Sequence, residues 1–130
     1  LSSSKASLSL MVSESDEFPG DIDALSKDNW AINRKILGDH EIELGETGRY
    51  RPHELGQQNT RVSFSKGCFK GQEIIARMEY LGKLKKETRL IAHSTLQEIS
   101  EFIIIGRSYH DQDRIFSSCF GKIDRFSEIN

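Results

Sequence analysis

Two kinds of apolar spacing follow one another along this chain, and their order limits its fold more than any other feature. Apolar residues recur three or four apart in 27–37 and again in 72–81, the spacing of a single helix face. From about residue 88 the pattern changes. TRLIAH, EFIIIGR and RIFSSCF are short runs rich in isoleucine and phenylalanine, separated by polar residues, and they predict a small β unit. The whole therefore reads as an α+β fold. The first helix carries Ile32 and Ile36 on one face with Trp30 and Leu37 beside it. Ser26 is placed to cap it and Gly38 to stop it. The second carries Ile74, Ile75, Met78 and Leu81, with Gly82 at its end. A strand is expected over 7–13, where Leu8, Leu10 and Val12 alternate with polar residues, and a short one over HEIEL, 40–44. Pro19 and Gly20 break the chain, and Pro52 keeps GETGRYRPHELG a loop.

Length and composition act mainly by exclusion. A chain of 130 residues can bury one real core, and 36% hydrophobic with 29% charged residues is ordinary for a soluble domain. No apolar run approaches the roughly 20 residues of a membrane span. The opening LSSSKASLSLMV lacks the form of a secretory signal and reads as the cut end of something longer. Two cysteines, Cys68 and Cys119, are too few for a disulfide framework, so a reducing, cytoplasmic compartment is the simpler inference. Cysteines and histidines are scattered, and no metal site is expected from their spacing.

The net charge of −2 hides an asymmetry. Residues 11–60 hold eleven acids and five bases, a balance of −6, whereas 61–89 hold eight bases and three acids, a balance of +5. A basic stretch of this kind attracts phosphate or a polyanion, or it simply neutralises the acidic half in space. The second reading needs no ligand, and direct nucleic-acid binding is not expected.

The stretch SKGCFKGQE, 65–73, raises a sharper question. A helix beginning near Gly71 or Gln72 leaves Cys68 just ahead of its N-terminus, where unpaired N–H groups and the helix dipole favour an anion. Lys66 and Lys70 act in the same direction, favouring a thiolate. Glycines at 67 and 71 free the backbone and leave the sulfur accessible. The competing reading is a free cysteine packed as a small hydrophobe. Cys119, inside an apolar run without a lysine beside it, fits that second reading.

The contiguous run Lys66-Gly67-Cys68-Phe69-Lys70-Gly71-Gln72-Glu73, followed by Ala76-Arg77, resembles the K-G-C-[FY]-x-G-Q-E motif of the YgfZ family. The likeness continues upstream through Trp30, Gly38, Ile42 and GRYRPHEL, and covers about residues 25–90. The resemblance implies a protein that binds tetrahydrofolate or a one-carbon derivative and supports iron–sulfur cluster assembly or repair and tRNA modification. It implies a T-protein-like folate-binding region through residue 87, entered partway along, and a small β-barrel-like segment over 88–130. Cys68 with Lys66 would form the working group, supported by Gly67, Phe69, Gly71, Gln72, Glu73 and Arg77. The implied partners are iron–sulfur enzymes or assembly factors and tRNA-thiolating enzymes, with no membrane involved. Trp30 falls on a folate-contacting tryptophan, where its indole would stack on an aromatic ring, against the alternative of a core tryptophan. Glu73 either supports the helix start or pairs with Arg77 one turn on, and Arg77 otherwise faces an anion. A folate-dependent aminomethyltransferase and an inactive interaction module remain the alternatives. The motif cysteine separates the first of these from the accessory role, because the related transferases do not carry it.

Overall fold

A computed structural model describes residues 27–68 and 70–129. The strand expected over 7–13, the Pro19–Gly20 break, the Ser26 cap and Phe69 lie outside the described residues. Helix α1 spans Lys27–Ile36, with Asp28 in its first turn and Arg34 and Lys35 in its last, each charge opposing the helix dipole. It stops where the glycine signal places the stop. Gly38 takes φ +83°, its N–H donates to the Lys35 carbonyl at 3.0 Å, and the Asp39 N–H donates to the Arg34 carbonyl at 3.0 Å. Those two bonds form a Schellman motif and satisfy carbonyls the helix would otherwise leave open.

The buried face of α1 differs from the expected one. Ile32 is buried, but Ile36 is 55% exposed, and the position that points inward beside Ile32 belongs to Lys35. A lysine occupies the inside because its ammonium finds acceptors there, as described below. HEIEL also departs from expectation: residues 40–43 form no strand, and Leu44–Glu46 form a single 3₁₀ turn. Its alternation is inverted. Ile42 and Leu44 face solvent, while the glutamates between and after them engage the second strand. Glu41 accepts from the Tyr109 hydroxyl, Glu43 accepts from Arg107 at 3.0 Å, and the Glu46 carboxylate accepts the Gly106 N–H at 3.0 Å. Carboxylates thus do what a strand's backbone carbonyls would have done.

Helix α2 spans Gln72–Tyr80, with Leu81 as its C-cap. Its apolar spacing was expected to bury one face, yet no residue of it is buried, and Ile74 and Leu81 are largely exposed. Gly82 closes it tightly, since a Cβ there would lie 2.8 Å from the Met78 backbone.

Three antiparallel strands follow: β1 Lys86–His93, β2 Ile103–Asp111 and β3 Arg114–Lys122, in spatial order β1-β3-β2. All three predicted runs are strands, so the α+β reading holds. In β2 the pairing passes from Ile105↔Ser118 to Tyr109↔Phe116, leaving extra residues bulged around Gly106 at φ +62°. β3 is buried on both faces. Cys119 joins Ile99, Phe102 and Phe126 on one, and Phe120 joins Leu55 and Ile105 on the other, with Tyr50 edge-on to Phe120 at 4.9 Å. Leu55 and Tyr50 come from the loop around Pro52, so that loop and the sheet share one core. Burial pushes the Cys119 thiol up to about 11, as befits a small hydrophobe in a core. Among the described residues no helix is long and apolar enough to cross a membrane.

Candidate functional site

Cys68 lies exposed in the loop that leads into α2, and it lines a cleft of about 190 Å³ with Lys66, Gly67 and Gln72. The loop can make this approach because Gly71, the N-cap of α2, sits at φ +87°, a conformation residues with a Cβ resist. The N-cap is a glycine and offers no side chain to the helix start, where Glu73 is the acid of the first turn. Glu73 and Arg77 are exposed on α2, and no ion pair joins them among the described residues. The far wall of the cleft is aromatic. Phe64 and Tyr80 line it with ring centroids 6.2 Å apart, and the buried His53 ring lies behind Phe64 at 6.4 Å. Sequence reading missed this wall because its two rings come from separate segments. His53 also holds α2 in place, its Nε2 lying 2.9 Å from the Glu79 carboxylate.

Trp30 is half-buried and lines a different cleft, of about 340 Å³, with Arg34, Leu37, Asp39, Thr60 and Arg61. It is not a core tryptophan. Beside it Asp39 bridges two guanidiniums: Arg34 Nε lies 2.9 Å from one carboxylate oxygen and Arg61 Nη2 2.7 Å from the other. Burial works to raise the Asp39 pKa, but the two arginines outweigh it and hold the carboxyl below its ordinary value. The structure therefore separates the two groups of candidate residues. The same loop serves both, Thr60 and Arg61 lining the tryptophan cleft and Ser63 and Phe64 the cysteine cleft. The cleft thus sets an indole face beside two guanidiniums that share one carboxylate.

A third constellation has the composition of a catalytic centre without its access. Lys35 Nζ donates to Ser118 Oγ at 2.9 Å and to the Arg107 carbonyl at 2.9 Å, and Ser118 Oγ lies 2.9 Å from His40 Nδ1. Since the ammonium can only donate, the Ser118 proton is directed to Nδ1, which places the His40 proton on Nε2. Burial, helped by the nearby Lys35 charge, pushes His40 down to about 4. Burial likewise lowers Lys35, opposed by Glu41. Lys35, His40 and Ser118 are all buried, Ser118 completely, so a substrate does not reach them. They form the joint between α1 and the sheet. On the opposite face of β3, Ser117 Oγ lies 2.8 Å from His93 Nε2 and 2.6 Å from Ser108 Oγ. Paired Ser117 and Ser118 inside an apolar strand were the sequence signal for both networks.

No family profile matches the chain. No solved structure matches it either. Two curated proteins do, both named tRNA-modifying protein YgfZ. The one from Colwellia psychrerythraea is 39% identical over 62 residues, 47% of this chain and 19% of that protein. The one from Vibrio atlanticus is 31% identical over 72 residues, 55% of this chain and 22% of that protein. The matched stretch spans about a fifth of the length of each relative. Over that stretch the chain is similar to two proteins of one name, tRNA-modifying protein YgfZ.

Proposed function

We propose that this chain belongs to a folate-binding accessory factor that supports tRNA modification and iron–sulfur cluster assembly or repair, with Cys68 as its working thiol. The observation that carries the reading is the setting of Cys68: an exposed sulfur in an open cleft, ahead of a helix that starts from a glycine. A core cysteine such as Cys119 has no such access. One cysteine does not hold a cluster, which takes about four ligands. Cys68 instead suits transient ligation of iron carried by a partner, or exchange with a partner's disulfide. Lys66 on the same cleft supplies a positive charge near the sulfur, and Gln72 supplies an amide. Tetrahydrofolate, or a one-carbon form of it, would be held at the tryptophan cleft. There Trp30 offers a ring face, and Arg34 with Arg61, two cations sharing the single Asp39 carboxylate, leave a net positive charge for the glutamate tail. Bound folate would supply a one-carbon carrier. The relatives' shared name is the support for tRNA modification as the process served.

The test uses a strain carrying only the mutated full-length gene, with thiomethylated tRNA as the readout. Cys68→Ser should lower it nearly as far as Cys68→Ala, because a hydroxyl stays protonated and is a poor iron ligand. Lys66→Ala should do less harm, and Lys66→Arg least. Wild-type levels in Cys68→Ser would remove the accessory reading in favour of an aminomethyltransferase, for which this cysteine is incidental.

A further inference from the structure

The largest of the clefts described is neither of the two above. It has a volume of about 640 Å³ and lies between the loop after Gly48 and the segment joining α2 to β1. Arg49 and Arg51 line it from the loop, Lys83, Lys85 and Lys86 from the joining segment, and Glu54 is the one carboxylate among its lining residues. Among the described residues none of these five cations forms an ion pair. Among the described residues the Arg51 guanidinium donates to the Met78 sulfur at 3.9 Å, and the Lys86 ammonium lies over the Phe120 ring. The acids that might have neutralised them are engaged elsewhere. Asp39 bridges Arg34 and Arg61, while Glu41, Glu43 and Glu46 are turned toward β2. Neutralisation within the fold, the reading that needs no ligand, therefore fails at this groove.

The geometry points to this groove as a seat for the phosphodiester backbone of a folded RNA. Five cations against one carboxylate around one groove suit a polyanion with several phosphates. Tyr50, the aromatic residue of the groove, is packed edge-on against Phe120 and not free to stack on a base. Contact is thus to the backbone, without sequence readout. This departs from the expectation that the chain avoids nucleic acid. The charge pattern stands by itself, and the choice of RNA rests on the tRNA-modification reading above.

The test measures binding of the 130-residue chain to an unmodified tRNA transcript by fluorescence anisotropy between 50 and 200 mM salt. Five phosphate contacts give a slope of log affinity against log salt of about −3.5 to −4.5, a loss on the order of a hundredfold or more over that range. Lys83→Ser with Lys85→Ser should reduce the slope by about 2. Both side chains are exposed, so the fold should be unaffected, with circular dichroism as the check. Lys83→Arg with Lys85→Arg should keep the affinity, and Lys27→Ser with Arg114→Ser, of equal charge but outside the groove, should keep the slope within about 0.5 of wild type. A groove variant that binds no worse than that control overturns the inference, as does binding to phosphatidylserine vesicles without binding to tRNA. Equal affinity for duplex DNA overturns the choice of RNA and weakens the tRNA reading, whereas loss of the cysteine phenotype leaves the groove untouched.

Discussion

Lowering the pH should loosen the joint between α1 and the sheet at a single residue, His40. In the folded protein burial and the adjacent Lys35 charge hold His40 at about 4, with Asp39 opposing them. An unfolded chain leaves it near 6.5. Its ring is buried, with Ser118 Oγ on Nδ1, while the Gln57 side-chain amide donates to the His40 carbonyl at 3.3 Å. The folded pKa is the lower one, so below pH 6.5 the unfolded state takes up a proton that the folded state refuses. Stability from this residue is complete above about 6.5 and is lost as the pH falls toward 4. The difference corresponds to about 3 kcal/mol in all, with about 2 kcal/mol gone by pH 5. That is a large share of the roughly 5–15 kcal/mol that holds a domain folded. Urea unfolding at pH 7.5, 6, 5 and 4.5 measures it. His40→Asn keeps a polar group for Ser118 but does not titrate, so its stability should fall less over this range by about 2 kcal/mol at pH 5. Carboxylates such as Asp39 also lose their ion pairs in acid, but they do so equally in both proteins. Parallel stability curves for wild type and His40→Asn would refute the reasoning.

The backbone and the two thiols give further outcomes. Gly106→Ala places a Cβ 2.5 Å from the Glu41 carbonyl at φ +62°, and should cost about 1–3 kcal/mol in thermal unfolding. Gly45→Ala, where a Cβ meets nothing within 4 Å, should change stability by less than about 0.5 kcal/mol. Iodoacetamide at pH 8 should label Cys68 in the folded protein and leave Cys119 untouched until urea opens the core, read by mass spectrometry, since the Cys119 thiol is fully buried and pushed up to about 11. Equal labelling rates in the native state would contradict the placement of Cys119. Trp30→Phe should remove fluorescence quenching by tetrahydrofolate in the parent protein and weaken binding by about 1–3 kcal/mol, and unchanged affinity would free Trp30 of a ligand role.

What the sequence determined by itself was everything whose cause is local. The stop of α1 at Gly38 follows from one residue's tolerance of positive φ. The three strands follow from β-branched runs of the right length. Cys119 reads as core from its apolar neighbours, whereas Cys68 stood open between a packed and an accessible thiol until the fold exposed it. Periodicity misled where the partner lay far away in sequence. In α1 it pointed to Ile36, yet Lys35 goes inside because acceptors from Arg107 and Ser118, more than seventy positions on, meet its ammonium. In HEIEL it read alternation as a strand, but the bulge at Gly106 turns β2 toward the glutamates and away from Ile42 and Leu44. In α2 the spacing was sound and the burial did not follow, because no described element packs over that face. Charge behaved the same way: counts along the chain suggested that acids and bases cancel. Only the tertiary structure commits the acids to β2 and to two arginines, and so leaves Arg49, Arg51, Lys83, Lys85 and Lys86 lining one groove. Cancellation requires proximity in space, and proximity is a property of the fold.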